Sequence, residues 1–303
     1  MMKKFTLIGL LSLLFVLLAV APASAHTAVL IAGDNIVDAT SGDLDNYFLS
    51  AGTTQSFIYA LCEGPEYDFV GSANPLNITV VAPDGTETIV LTEPETEEID
   101  VVSDGTKKEV TYQKMSYNFT ENGTYFVYTV NAGSRSTGCV KTAIFVGENV
   151  GNNWSKNLAL PLEFTTYTSP LNIVEGETLF GKVNYGNGGT ASNSTISAEI
   201  INNAATAKAL ENENSTFPVG ENRYVKSVLA DESGNFGMTM TEHGIWIINT
   251  SAEIDGSRYS ATAIIPVLPQ SDAANKSVNE TPGFGVLLAL LAIVGAVLII
   301  RRK

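Results

Sequence analysis

The residues of this chain best suited to metal binding or proton transfer are two histidines and two cysteines. Imidazole and thiolate groups bind transition metals, and imidazole also transfers protons near neutral pH. The sequence contains no phosphate-binding loop, no Gly-x-Ser-x-Gly elbow, no His-Glu-x-x-His pair and no Cys-x-x-Cys pair. Since acid-base catalysis would have so few candidate groups, the sequence predicts a protein that is not an enzyme.

His26 is the strongest candidate metal ligand because it is predicted to become the mature N-terminus. Lys3 and Lys4 precede an apolar run, and Ala23-Ser24-Ala25 has the small-x-small pattern of a signal-peptidase site. Residues 1–25 are therefore predicted to be a signal peptide, forming an N-terminal signal helix. An N-terminal histidine offers its α-amine and its ring Nδ1 to one ion, which suits nickel, cobalt or copper. The alternative is that the peptidase merely tolerates histidine there.

His243 is the second candidate ligand, at the start of a predicted strand in Thr241-Glu242-His243-Gly244. A site shared by His26 and His243 requires the two halves of the chain to approach each other. A lone histidine at a strand edge is more often a solvated turn residue, and that alternative stays open. A copper enzyme with both histidines on one ion is a remote third possibility that the spacing does not favour.

Cys62 and Cys139 are predicted to form a structural disulfide, because exported thiols within one domain usually pair. Their use as metal ligands is the alternative. The acidic run from Glu93 to Asp100 lacks the spacing of a calcium-binding loop and predicts a solvated loop.

The C-terminal tail predicts anchoring at a membrane. An apolar stretch, residues 284–300, forms a predicted transmembrane helix, and Arg301-Arg302-Lys303 would stay in the cytoplasm. Pro282-Gly283-Phe284 directly before this span resembles the archaeal surface-sorting signal called PGF-CTERM. The resemblance implies cleavage and a lipid anchor at the archaeal cell surface. A plain C-terminal membrane anchor is the alternative.

The exported part of the chain is strongly acidic. The five basic residues of the two termini are removed from a total of 17, which leaves 12 against all 32 acidic residues. Nucleic-acid binding is excluded because phosphates require a basic surface. Sequons for N-glycosylation are frequent and predict a glycoprotein. They lie at Asn77, Asn118, Asn122, Asn153, Asn193, Asn214, Asn249 and Asn275, with a weaker ninth at Asn279.

The elements that must position these residues are predicted to be short β-strands. Runs such as Thr124–Val130 and Thr178–Tyr185 are rich in β-branched and aromatic residues and are separated by Asp-Gly and Asn-Gly turns. The predicted fold class is all-β, with two immunoglobulin-like β-sandwich modules in tandem. The predicted modules are residues 26–148 and 160–268, joined by a polar linker, 149–159, and followed by a polar stalk, 269–283.

Several motifs together resemble an exported family of uncharacterised domains found with nickel/cobalt uptake systems. They include His26 followed by an apolar strand, Pro83-Asp84-Gly85-Thr86, Glu175-Gly176-Glu177-Thr178-Leu179 and Gly244-Ile245-Trp246. The resemblance implies capture of a nickel or cobalt ion through His26 and delivery to a metal-ion ABC transporter. One departure is that a Gly-His-Pro typical of the family is replaced by Leu61-Cys62-Glu63-Gly64-Pro65.

Two functional interpretations follow from these observations. The first is a glycosylated, membrane-anchored surface protein that binds nickel or cobalt for uptake. The second is a non-catalytic structural or adhesive protein whose β modules are spacers or contact other envelope components. Both place the protein outside the cytoplasm on a membrane or lipid anchor.

Overall fold

The computed structural model describes residues 27–63, 68–69, 71–72, 74–100, 107–133, 136–148, 150–151, 153–201 and 225–270. Within these residues the chain forms strands joined by turns, and the helices are short. They are one α-helix, α1 (Ile36–Ala39), and the 3-10 helices Leu44–Asn46, Asn153–Ser155 and Pro170–Asn172. The predicted all-β class is confirmed.

The first ten strands come from the N-terminal half of the chain. They are β1 (Thr27–Ala32), β2 (Phe48–Leu49), β3 (Thr53–Glu63), β4 (Asp68–Phe69), β5 (Asn77–Val81), β6 (Glu87–Leu91), β7 (Glu93–Asp100), β8 (Lys107–Phe119), β9 (Gly123–Ala132) and β10 (Ser136–Val146). The acidic run that predicted a solvated loop is strand β7, so that prediction was wrong. It pairs along its whole length with β8, and Tyr112 donates a hydrogen bond to Glu95 at 3.1 Å.

Seven further strands are described in the C-terminal half. They are β11 (Leu162–Thr166), β12 (Thr178–Tyr185), β13 (Thr195–Ile201), β14 (Val225–Leu229), β15 (Asn235–Thr239), β16 (Gly244–Ile254) and β17 (Ser257–Val267). Strand β12 has the bounds that the sequence predicts. Its alternating buried and exposed residues explain the agreement, because a half-buried strand repeats every two residues.

The strands of the described residues form three sheets. The central sheet has the strand order β14-β13-β16-β17-β10-β9-β5-β6, with β2 also paired to β10. The N-terminal outer sheet has the order β1-β3-β8-β7, with β4 beside β3, and the C-terminal outer sheet has the order β11-β12-β15. All strand pairs are antiparallel except β10 with β17 and β10 with β2, among the residues that the structure describes.

The β10–β17 pair joins the two halves of the chain into one sheet. Seven residue pairs form this parallel ladder, from Ser136 opposite Arg258 to Thr142 opposite Ile264. The sequence analysis places β10 and β17 in different modules, yet these two strands are hydrogen-bonded neighbours. The central sheet therefore runs through both halves without a break. The module boundaries themselves stay a prediction.

The central sheet is buried on both faces where β16 and β17 lie. Along β16, Ile245 and Ile247 pack into the core beneath the N-terminal outer sheet, whereas Trp246 and Ile248 pack into the core beneath the C-terminal outer sheet. Successive side chains of a strand point to opposite faces. The continuous apolar run of β16 therefore supplies both hydrophobic cores at once, and the fold has three layers at this point.

A buried ion pair lies beside the same join. Lys141 of β10 places its Nζ 2.6 Å from Glu163 Oε1 of β11, and the ammonium also donates to the Phe164 carbonyl. Glu163 in turn accepts backbone N–H bonds from Leu158 of the predicted linker and from Leu160, the first residue of the predicted second module. Burial lowers the pKa of Lys141 below its ordinary value, and the neighbouring Glu163 carboxylate acts against that shift.

Candidate functional site

Three side chains of the C-terminal half converge where one metal ion could bind. Glu175, Glu242 and His243 each offer a ligand atom, and these atoms all lie within 4.8 Å of one another. The His243 ring nitrogen Nδ1 lies 3.2 Å from Glu175 Oε2. We call these three residues the His243 cluster.

The backbone around Glu175 is fixed by hydrogen bonds to two other parts of the chain. The Glu175 N–H donates to the Leu268 carbonyl at 2.9 Å, and the Gly176 N–H donates to the Met240 carbonyl at 2.7 Å. Gly176 has a φ of 88°, a left-handed conformation that glycine adopts without strain. This turn therefore holds Glu175 between the residues that follow β15 and the end of β17.

Glu242 and His243 lie in the turn between β15 and β16, and the core holds this turn in place. The indole N–H of Trp246 donates to the Glu242 carbonyl at 3.0 Å, and the Trp246 side chain is fully buried. Gly244, with a φ of 132°, directs the chain from the turn into β16. The two ligand-bearing residues thus directly precede β16, whose first five residues are all buried.

The His243 cluster is accessible to ions from solvent. The side chains of His243 and Glu175 retain 56% and 31% of their accessible surface. Two carboxylates and one imidazole can neutralise a divalent cation and leave coordination positions open for further ligands. Imidazole ligation favours a transition metal over magnesium or calcium.

The sequence identified His243 of this cluster but missed its two carboxylates. Glu242 could have been found, because it is adjacent in the sequence and both side chains lie in one turn. Glu175 lies 68 positions from His243 and gives no local signal. The other predicted ligand, His26, lies outside the described residues, so a site shared by the two histidines stays a prediction.

The two cysteines lie in different sheets. Cys62 is buried in β3 of the N-terminal outer sheet, opposite Thr27 and Phe69, and Cys139 is buried in β10 of the central sheet. Burial raises the pKa of the Cys139 thiol, which makes it a poorer nucleophile and metal ligand at neutral pH. The disulfide between Cys62 and Cys139 stays a prediction.

The described sequons differ in how much of each asparagine is exposed. Five are exposed, namely Asn77, Asn118, Asn122, Asn153 and Asn193. Asn249 is half-buried in the middle of β16, between β13 and β17, so access to its amide is restricted. Asn214, Asn275 and Asn279 lie outside the described residues.

The predicted signal peptide and the tail, including Pro282, Gly283 and Phe284, also fall outside the described residues. Within the described ranges, no helix has the length and apolar character needed to cross a membrane. The last described strand, β17, ends at Val267, next to the His243 cluster.

The fold and its termini define an exported all-β protein of the cell surface. Residues 23–254 match the family model described as Domain of unknown function (DUF4198), and residues 281–303 match the PGF-CTERM motif. The chain therefore belongs to the DUF4198 family and is anchored at the archaeal cell surface by its PGF-CTERM tail. This confirms the predicted localisation. No curated protein matches the chain.

The solved structures that the chain matches have low sequence identity to it and low TM-scores. E. coli α2-macroglobulin in its native conformation is 12% identical, with a TM-score of 0.24 over 81% of this chain. The match spans only 14% of the length of that chain.

Two further structures share this low similarity. The ectodomain of mouse nectin-like molecule 4 is 9% identical over 77% of this chain and 63% of its own, with a TM-score of 0.20. A Ca²⁺-stabilised ice-binding adhesin of an Antarctic bacterium is 8% identical over 82% of this chain and 50% of its own, with a TM-score of 0.22. None of these similarities identifies a ligand of this protein.

Proposed function

We propose that this protein binds a divalent transition metal ion, nickel or cobalt, at the archaeal cell surface and presents it to a membrane transporter. The observation that carries the proposal is the His243 cluster, in which three donor atoms lie within 4.8 Å of one another. Glu175, Glu242 and His243 are the protein ligands, and His26 is a further ligand contributed by the mature N-terminus. The protein has no catalytic role in this proposal.

The position of the cluster supports delivery towards the membrane. The Glu175 N–H binds the carbonyl of Leu268, the residue that follows β17. From there the chain continues into the polar segment that leads to the PGF-CTERM motif. A metal ion held by Glu175 therefore lies at the end of the fold from which the anchored tail departs.

Calorimetric titration of the mature, signal-processed protein with Ni²⁺, Co²⁺, Zn²⁺ and Ca²⁺ tests this function. We expect one site for Ni²⁺ or Co²⁺, and at least about ten-fold weaker binding in His243→Ala and Glu175→Gln, a loss of about 1.4 kcal/mol. Glu177→Gln is the matched control, because it removes a neighbouring exposed carboxylate outside the cluster. His26→Ala separately tests the N-terminal ligand.

Acidification provides an independent check. A protonated imidazole cannot bind a metal, so affinity should fall as pH is lowered, and each bound ion should release protons. Equal binding by wild type and His243→Ala, or binding of Ca²⁺ as tight as that of Ni²⁺, would show that the cluster is not a transition-metal site.

The second candidate function is a non-catalytic structural or adhesive envelope protein. The continuous central sheet favours it, because the β10–β17 ladder and the Lys141–Glu163 pair join both halves into one unit suited to bear load. Two results together would favour this function: the titration shows no metal binding, and the protein stays associated with isolated, intact cell envelopes.

A further inference from the structure

One face of the central sheet carries exposed apolar side chains in the region of β9, β5 and β6. Ile89 and Leu91 of the edge strand β6 retain 68% and 64% of their accessible surface, and Val130 of β9 retains 37%. These side chains point away from the N-terminal outer sheet, because side chains an odd number of residues away, Val90 beside Ile89 and Leu91 and Val127 three residues before Val130, pack into the core beneath that sheet. We call Ile89, Leu91 and Val130 the β6 patch.

The β6 patch lies beyond the edge of the C-terminal outer sheet. That sheet packs on β17 and β10 through β11, whereas β6 pairs only with β5 among the residues that the structure describes. A patch of exposed aliphatic side chains at an edge strand favours self-association, so a protein displayed at the cell surface gains from covering it.

A sequon lies within this patch. Asn77 of β5 is opposite Leu91 of β6, and on its other side Thr129 of β9 donates to the Asn77 carbonyl at 2.9 Å. Asn77 and Val130 line the same open groove. In Asn77-Ile78-Thr79 the central residue is fully buried, so the asparagine and the threonine both point to the exposed face.

We propose that a glycan on Asn77 covers the β6 patch of this protein. An N-linked sugar extends from the asparagine amide over the neighbouring side chains, and the apolar faces of its rings pack on aliphatic groups such as Leu91 and Val130. The glycan thus acts as the missing cover of this part of the sheet, and it keeps the exposed edge strand from pairing with a second copy.

Mass spectrometry of the full protein made in an archaeal host tests the modification, and dye binding with sedimentation tests its role. We expect the peptide that contains Asn77 to carry a sugar mass. We expect Asn77→Gln and Thr79→Val to lose this mass, raise the fluorescence of the hydrophobic dye ANS several-fold and shift the protein towards dimers. Thr79→Ser keeps the sequon and should behave like wild type.

Asn118→Gln is the matched control on another strand. Asn118 is also an exposed strand asparagine with a fully buried neighbour, Phe119, but its cross-strand partner is the polar Thr54. Its loss should leave dye binding and association unchanged. An unmodified Asn77 peptide would overturn the proposal. So would a glycosylated Asn77 whose removal, in both Asn77→Gln and Thr79→Val, changes neither dye binding nor association.

Discussion

Lys141 and Glu163 form a buried ion pair at the join of the two halves. Their side chains retain 10% and 1% of their accessible surface, and the Lys141 ammonium also lies 5.4 Å from the centre of the Phe126 ring. Such a pair contributes little net stability relative to apolar residues, but removing one partner leaves the other charge buried alone. The pair therefore makes the two halves depend on each other.

A double-mutant cycle should show this dependence. We expect Lys141→Met and Glu163→Leu each to lower the free energy of unfolding by about 3–5 kcal/mol. The double variant should cost less than the sum by about 0.5–3 kcal/mol, because no unpaired charge remains. Urea unfolding followed by tryptophan fluorescence measures all three values. Purely additive losses would contradict the coupling.

Tyr47 is a second residue whose burial has a measurable consequence. Its hydroxyl accepts the Ala32 N–H at 3.2 Å, and burial raises the pKa of Tyr47 above the ordinary value of about 10 despite this bond. Below pH about 10 the tyrosine is neutral in both states, and its contribution to stability is complete. As the pH rises further, only the unfolded chain releases the proton, so stability falls.

Tyr47→Phe should separate the two effects. At neutral pH it should cost about 1–3 kcal/mol, because the buried Ala32 N–H loses its acceptor. Above pH about 10 the decline of stability should be less steep than in wild type. Urea unfolding at pH 7, 9.5 and 11 measures this, with Tyr167→Phe as control, since that ring is about half exposed. Parallel pH curves for wild type and Tyr47→Phe would disprove the assignment.

Among the elements, β1 is the strand that covers the join. It contacts both β10 and β17, and the Leu30 carbonyl accepts a hydrogen bond from the Thr142 hydroxyl. Thr142 is opposite Ile264 in the parallel ladder. A short N-terminal strand thus packs on the two strands that link the halves, although it belongs to a different sheet.

The importance of β1 can be measured with one substitution. Leu30→Ala should destabilise the protein by about 2–5 kcal/mol, because Leu30 is fully buried and its removal leaves a cavity above the join. Val37→Ala in α1 should change stability by less than about 0.5 kcal/mol, because that side chain is 57% exposed. Chemical unfolding of both variants compares them directly, and equal effects would show that β1 adds nothing specific.

At the scale of the whole molecule, the two cores share one sheet. The core beneath the N-terminal outer sheet also contains four side chains of the C-terminal half, namely Ile201, Ile245, Ile247 and Ile264. A chain that ends before β11 would lack these side chains and would expose the β10 edge that pairs with β17. The two halves are therefore expected to unfold together.

Calorimetry tests this expectation. The mature protein should show one cooperative transition, and Ile58→Ala in the first core and Phe236→Ala in the second should both lower its midpoint. A fragment of residues 26–148 should not unfold cooperatively. Two separate transitions, each affected by one substitution alone, would instead support two independent modules.

Local patterns were sufficient for much of the fold. Alternation along β12 has the two-residue period of a half-buried strand, and the short continuous apolar run of β16 is typical of a strand buried on both faces, so both strands follow from sequence. The acidic strand β7 was missed because its pairing with β8, rather than its own composition, makes it a strand.

The sequence by itself determined that this protein is exported, all-β and held at the archaeal surface, because signal, strand and tail patterns are local in the chain. It also singled out His243 because histidine is scarce. Only the tertiary structure brought Glu175 to His243, joined β10 to β17 and placed Asn77 between Leu91 and β9. These contacts depend on strand pairings between distant segments, for which neither composition nor periodicity specifies the partner.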